Sequence, residues 1–496
     1  MEYLDPKQKK SHEIKLYIGY GLMAVLVILA TAILGLFAFG FNLDTKTGSV
    51  VQNGLLFIDS SPESSTVRVN NIDKGQTDVR LVVPSGKYKI DLSRDGYRGW
   101  SNEIDIAGGE IARIVYPFLF PSDLKSEDSS VLESKPIFGS QSPDRNWVIT
   151  KYEGKLNEFV EFNLTEDPIT PNVISLSPGL INQVGEKHFF KEVEWSTDNR
   201  HLLVRHDFEG GYEYIVVDRE EPAKTFNLSN KYNTIKIKDL RFRDKKFDKY
   251  YILDESKKLL TGEFKKIETV AVAENVIDFQ PHGNDIVLYV SAIAGVSDKV
   301  EVKVIEKEKQ YSMRELPADS KYLIDLAEFD GSWYVVFGAS KEQKVYIYID
   351  PFKELKEDNG QGKPLPQSQL RLDKPIENLS FSANARFIAV QSGQSFAVYD
   401  SENINFHKYD IDINIATTYE AKWMDGHRFN VVSAEKVYVF DFDGTNKQEL
   451  MSSYDKYYPF FDRDYNDVYN LTTSISDKQK SALVFTPLDL GAQQNN

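Results

Sequence analysis

SFSANARFIAVQSGQSFAVYD, residues 380–400, sets an aromatic residue at the end of one strand-like run, then a polar turn, then two short apolar runs parted by Gly393. The runs are rich in β-branched and aromatic side chains, and they are too short for helices. The same order recurs in QSPDRNWVITKY (141–152), EWSTDNRHLLVRH (194–206), DFQPHGNDIVLYVS (278–291) and KWMDGHRFNVVS (422–433). Weaker copies are LRFRDKKFDKYYILD (240–254), AEFDGSWYVVFGAS (327–340) and FFDRDYNDVYNLTTS (460–474). A further apolar run follows several copies, as in EYIVVD, VEVKVIE, KVYIYID, KVYVFD and SALVFT.

Aligning Gln141, Trp195, Phe242, Phe279, Phe329, Phe381, Trp423 and Phe461 gives a mean spacing of about 46 residues, the length of one propeller blade. Leucine-rich and tetratricopeptide repeats are shorter, and no helical period shows through. The expected fold is therefore all-β, with a β-propeller over 137–490 of eight blades, seven being the alternative. The last copy holds three strands, so a strand near Val131-Leu132-Glu133, in the connector 121–136, is expected to complete its sheet and close the ring. Residues 491–496 read as a tail. The turns Ser142-Pro143-Asp144-Arg145-Asn146-Trp147 and Trp195-Ser196-Thr197-Asp198 resemble the W/F-S-P-D-G turns of WD40-like (TolB-type) propeller repeats. The first copy alone keeps Ser-Pro-Asp, and there Gln141 replaces the aromatic.

The N-terminal part has a different character. Leu16 to Phe41 carries no charge, and about 26 residues at 1.5 Å each are enough to cross a hydrocarbon core of ~30 Å. Lys7, Lys9, Lys10 and Lys15 precede the run and only Lys46 lies close behind it, so residues 1–15 are expected in the cytoplasm and the bulk of the chain outside. The run exceeds the apolar core of roughly 7–15 residues usual in a cleaved signal peptide. A buried core helix would not be hydrophobic on every face. An uncleaved single-pass anchor, with the lipid bilayer as partner, is the preferred reading. The chain has no cysteine, which removes disulfides, thiolate metal sites and a lipoprotein attachment together. A net charge of −16 argues against nucleic acid as a partner.

Between the two parts, LLFIDS, TVRVNN, VRLVVPSG, KYKIDLSRDGY, NEIDIAGG and EIARIVYPF read as six short strands of a small β-sandwich-like module. The order Gly54-Leu-Leu-Phe-Ile-Asp-Ser-Ser-Pro62-Glu63, Gly75-Gln-Thr77, Pro84-Ser-Gly86 and Gly96-Tyr97 resembles the PEGA domain over residues 53–120. Ser64-Ser65 stands where that family has Gly-Ala, and Asp78 stands where it has proline. The resemblance implies an extracytoplasmic module of bacterial or archaeal envelope proteins, used for binding or spacing and without accepted catalytic residues. Ser61, Ser64 and Ser65 accordingly read as turn residues.

No catalytic constellation is assembled in the sequence. There is no G-x-S-x-G, and the histidines 188, 201, 206, 282, 407 and 427 show no H-E-x-x-H or H-x-H pairing. His201 and His206, five apart on one strand, are expected on opposite faces. Asp441-Phe-Asp443-Gly444 and Asp462-Arg-Asp464-Tyr-Asn466 resemble fragments of calcium loops, but both lack the full ligand set and read as turns, leaving Asp441, Asp443, Asp462 and Asp464 as weak candidates. No cofactor is expected. The leading expectation is a bacterial plasma-membrane protein that binds an envelope protein, peptide or glycan non-catalytically through PEGA and propeller loops. Alternatives are an enzyme using loop carboxylates on a glycan or peptide, and a surface sensor that signals through a partner.

Overall fold

The computed structural model describes residues 6–38, 40–43, 50–283, 285–357, 363–417, 419–454 and 457–490. Lys46, the tail 491–496 and the first five residues of the N-terminal tail lie outside the described residues. The chain divides into two compact units, Met1–Asp123 and Leu124–Asn496.

The first unit opens with helix α1 (Pro6–Ala38), whose stretch from Lys10 to Ala38 is long and apolar enough to cross a membrane, with a mean hydropathy of 2.6. The helix stops at Ala38, short of the expected end at Phe41. Gly40 supplies the left-handed residue that closes helices, at φ +80°, and its N–H donates to the Phe37 carbonyl at 3.0 Å. Phe41 instead begins strand β1.

The strands of this unit are β1 (Phe41–Leu43), β2 (Val50–Ile58), β3 (Thr66–Val69), β4 (Ile72–Gln76), β5 (Val79–Pro84), β6 (Gly86–Ser93), β7 (Trp100–Ile106) and β8 (Ile111–Ile114). One sheet runs β1-β2-β5, with β8 parallel to β2; the other runs β4-β3-β6-β7. Their inner faces form one core of Leu56, Ile58, Val83 and Ile114 with Val67, Ile90, Leu92, Trp100 and Ile106. The two sheets hold two strands more than the six legible in the sequence, the short β1 and β4. Strand β4, IDKGQ, is exposed at every position and so carries no alternation to read. It follows β3 through Asn70-Asn71, both at positive φ (49° and 64°), as a tight hairpin requires.

Among the described residues the second unit contains eight four-stranded antiparallel sheets. Their first strands are Pro136–Gln141, Phe189–Trp195, Ile237–Arg243, Val276–His282, Tyr322–Phe329, Asn378–Phe381, Lys422–Trp423 and Phe460–Phe461, numbered here as blades 1 to 8. Middle strands such as Phe387–Ser392 are buried along their whole length, because a blade is covered on both faces by its neighbours. That coverage explains the continuous apolar runs in the sequence. Successive blades share cores: Phe138, Ile149 and Phe159 of blade 1 pack on Phe190, Leu202 and Ile215 of blade 2. Leu288 and Val304 of blade 4 meet Val335 and Phe337 of blade 5.

Blade 8 is completed by strand β9 (Glu127–Val131), which pairs antiparallel with Ser481–Pro487. The closing strand thus begins earlier than the expected Val131-Leu132-Glu133, of which Val131 alone belongs to it. Leu132 leaves the sheet to enter the core between blades 8 and 1, beside Val148, Phe460 and Leu471. The eight aligned positions all fall on first strands, and six of them end their strand. Phe242 is next to last and Phe279 lies three residues from the end, so the alignment holds to the strand but slips in register there.

Candidate functional site

The turn after each first strand is built from short polar side chains. In blade 1 the Ser142 hydroxyl donates to Asp144 at 2.5 Å and accepts the Trp147 N–H at 3.0 Å. Blade 6 repeats this with Ser382, Asn384 and Phe387, at 2.7 and 3.0 Å. The next residue takes left-handed backbone: Arg145 (φ 65°), Asn199 (56°), Ala385 (60°) and Tyr465 (60°) occupy the place where the repeat family keeps glycine.

Along blades 1 to 4 these turns bond to one another. The Asp144 N–H donates to Asn199 of blade 2 at 3.1 Å, Thr197 N–H to the Lys245 carbonyl of blade 3 at 2.9 Å, and Asp244 N–H to the Gly283 carbonyl of blade 4 at 3.0 Å. Arg145 reaches past blade 8: it stacks over the Tyr465 ring at 4.2 Å and donates to the Met424 carbonyl of blade 7 at 2.9 Å. Beside it a cavity of about 210 Å³ is lined by Gln141, Arg145, Glu192, Lys422, Trp423 and Tyr458.

Inside the ring the first strands carry acids that were not singled out in the sequence. Asp239, Asp278 and Asp325 hold the same place in blades 3, 4 and 5, each accepting the N–H of the following residue at 2.8 to 2.9 Å. In blades 3 and 4 a β-bulge immediately precedes the aspartate and re-aims it. The Phe242 N–H donates to Glu194 of blade 2. The recurring dipeptides DL, DF and DL at 239–240, 278–279 and 325–326 were the available signal.

These carboxyls are half-buried among the first strands. Burial pushes Glu194, Asp278 and Glu420 above the ordinary carboxylate range. Burial pushes Asp325 up to about 7, with the Glu420 charge from blade 7 adding to the effect and Lys245 from blade 3 opposing it. Residues of non-adjacent blades therefore feel one another across the ring. The lining mixes these acids with Lys238, Arg241 and Lys245, which act on Asp278 or Glu194.

The aromatic positions serve the contacts between blades. Trp195 Nε1 donates to Ser140 of blade 1 at 2.7 Å, and Trp423 Nε1 donates to Ser380 of blade 6 at 3.0 Å. Gln141 donates to the Phe461 carbonyl at 2.8 Å across the closing seam. Phe242, Phe279 and Phe461 are buried, whereas Phe329 and Phe381 are half-buried.

Asp441 ends a third strand, as Asp218 and Asp400 do. Those two are gripped by Arg200 and Arg386 through two bonds each, and Asp441 lies 3.7 Å from Arg428. Asp443 accepts the Thr445 N–H and hydroxyl within its own turn. Asp462 accepts the Asp467 N–H at 2.8 Å; burial pushes Asp467 up to about 6, with Asp462 adding to the rise. Asp464 lies on the same turn. Among the described residues no three His, Cys, Asp or Glu side chains are grouped to hold a metal. His201 stacks on Phe247 of blade 3, whereas His206 stacks on Phe190 of its own blade.

In the small module the serine-rich turn forms a closed hydrogen-bonded knot. The Ser60 and Ser65 hydroxyls donate to the Pro62 carbonyl at 2.8 and 3.0 Å, and Thr77 Oγ1 contacts Ser60 and accepts the Ser65 N–H. Ser64, at φ 60°, takes the position the family gives to glycine. Arg94 bonds the Glu63 carbonyl and lies over the Tyr97 ring, Gly75 bonds Asp73, and the Pro84 carbonyl accepts the Tyr88 hydroxyl at 2.6 Å. Gly86 and Gly96 both have positive φ.

Residues 53–118 match the family model described as PEGA domain. No curated protein matches the chain. Among solved structures the chain is similar to the C-terminal WD40 domain of Sif2, at 12% identity and a TM-score of 0.46, covering 74% of this chain and 98% of that one. It is also similar to Porphyromonas gingivalis dipeptidyl peptidase 4 (14%, TM-score 0.46, 72% and 58%) and to the Dos1 propeller (12%, TM-score 0.40, 73% and 94%). Likeness at this level says nothing of activity, and the blade count rests on the strand pairing itself. Residues 53–118 are a PEGA domain, set in sequence between a membrane-length helix and an eight-bladed β-propeller.

Proposed function

We propose that the chain is a membrane-anchored binding or scaffold protein of the bacterial cell envelope. In this reading α1 holds the N-terminus in the cytoplasm, and the PEGA domain and propeller stand outside. The propeller recognises a protein, peptide or glycan without a covalent step. The observation that supports it most is the run of interlocked turns: bonds tie blades 1, 2, 3 and 4, and Arg145 ties blade 1 to blade 7. A rim held in this way presents fixed groups at little cost in ordering, as a recognition surface requires. In vivo cross-linking of the tagged chain, followed by identification of captured envelope proteins and glycans, tests this. Capture should fall sharply when Lys245 and Arg145 are replaced by glutamate, and persist in a Lys309→Glu control, a residue exposed at the start of the outer strand of blade 4. Equal capture by all three counts against the rim as the site.

A second reading, an envelope enzyme acting on a glycan or peptide, draws support from Asp325 and Glu420. Burial holds both carboxyls above their ordinary values, and the Glu420 charge adds to the rise at Asp325. Under that reading purified protein hydrolyses a cell-wall substrate and Asp325→Asn abolishes the hydrolysis.

A further inference from the structure

The outer face of the β1-β2-β5-β8 sheet carries an ordered pattern. The register sets Leu55 of β2 between Val82 of β5 and Ile111 of β8, and sets Phe57 between Arg80 and Arg113. Val82 and Ile111 are 66% and 57% exposed, so an apolar row lies open on the surface. In the next row the two guanidiniums flank the same ring, at 5.5 and 5.6 Å from the Phe57 centroid. Among the described residues neither arginine has a carboxylate partner, which is unusual in a chain of net charge −16. The acids nearest along the strands, Asp59 and Asp78, lie one row farther on. Burial and the neighbouring Asp78 carboxyl both push Asp59 up.

The position of this face relative to α1 indicates what it meets. The Gly40 carbonyl, two residues past the helix end, accepts the Asn53 N–H at 2.8 Å. Leu55 is two residues farther along β2 and Phe57 four, or roughly 7 and 13 Å at the rise of a strand. If α1 spans the bilayer, Ala38 sits at the hydrocarbon edge, and the headgroup layer beyond it is about 5–7 Å thick. The apolar row therefore begins within about one headgroup thickness of the helix end. Lipid phosphates are the nearest dense array of anions, and they match unpaired guanidiniums in charge and bidentate geometry.

We propose that this face of the PEGA domain lies against the outer leaflet of the membrane crossed by α1, with Arg80 and Arg113 on lipid phosphates and Val82, Leu55 and Ile111 at the acyl boundary. The proposal rests on the anchor reading above. The anchor alone would leave the module free to swivel, whereas face-on contact fixes its orientation to the surface.

The chain has no cysteine, so a single introduced thiol can be labelled without ambiguity. Full-length Val82→Cys and Ile72→Cys proteins, each carrying an environment-sensitive fluorophore, are reconstituted in vesicles of phosphatidylcholine and phosphatidylglycerol containing nitroxide-bearing lipid. Ile72, 60% exposed on the other sheet, is the control. Quenching at Val82 should exceed that at Ile72 by at least about twofold. Adding Arg80→Glu and Arg113→Glu should lower the membrane-contacting population roughly tenfold and return Val82 to the control value. Equal quenching at the two sites, in protein that stays with the vesicles through alkaline carbonate, overturns the proposal and leaves the anchor standing. Release by carbonate overturns the anchor reading itself. Shielding of Val82 from aqueous iodide without lipid quenching assigns the face to a protein surface and overturns the lipid assignment.

Discussion

Replacing Asp325 by asparagine should stabilise the propeller, and by an amount that grows with pH. Asp325 lies on the first strand of blade 5, where its Oδ1 accepts the Leu326 N–H at 2.9 Å. Asparagine keeps that acceptor oxygen and nearly the same shape, so the substitution removes little besides the charge. Burial holds the aspartate at about 7 against 3.8 unfolded. The folded state thus binds the proton more tightly than the unfolded chain. The stability Asp325 contributes is complete below pH ~4 and is lost as pH rises towards 7. A tenfold difference in proton affinity between the two states is worth about 1.4 kcal/mol, so the charge costs about 4 kcal/mol at pH 8 and under about 2 kcal/mol at pH 5. In thermal melts of detergent-solubilised full-length protein, Asp325→Asn should raise Tm by roughly 5 °C at pH 8 and by clearly less at pH 5. A gain independent of pH, or a loss at both, would refute the assignment of a buried carboxyl to the inside of the ring.

Other substitutions test the turns and the seam. Ala385→Gly should stabilise by about 1 kcal/mol in the same melts, because alanine at φ 60° bears a steric penalty that glycine lacks. Trp195→Phe should cost about 2 kcal/mol by leaving the buried Ser140 hydroxyl without its donor, whereas the double variant with Ser140→Ala should recover part of the loss. Asp128 accepts bonds from Ser474, Ile475 and Ser476 across the closing blade. Although burial acts the other way, these donors hold Asp128 down at about 2. Its contribution is therefore present above pH ~4 and lost as pH falls towards 2. After allowance for solvent screening, Asp128→Ala should cost about 1 kcal/mol at pH 7 and almost nothing near pH 2, as read by urea unfolding at each pH.

The parts of the fold legible in the sequence were those in which burial acts on both faces of a strand. Phe387–Ser392 and Ser395–Asp400 are covered by neighbouring blades, so their apolar runs repeat and can be counted. Strand β4 pairs at an edge and buries nothing, so IDKGQ left no trace beyond the Asn70-Asn71 turn. Strand β9 begins before its expected place because EDSSV has a ladder to complete but almost no apolar surface to hide, and the adjoining Val131-Leu132 carries the stronger apolar signal. The inner acids are hidden for a related reason. An isolated Asp on a strand looks like a solvated residue, and its environment is decided by seven other blades distant in sequence. The register slip at Phe279 arises because the ladder runs on through Gln280, Pro281 and His282 past the aromatic, which spacing alone cannot reveal.

The closing of the ring also sets an order of events during synthesis. β9 leaves the ribosome before any blade exists, and its partner, Ser481–Pro487, follows roughly 350 residues later. At ordinary elongation rates of about 5–20 residues per second, that edge waits for tens of seconds with its ladder open. A hydrophobic strand left so long would pair with whatever it met. The polar make-up of EDSSV, which hid it in the sequence, is what lets it wait.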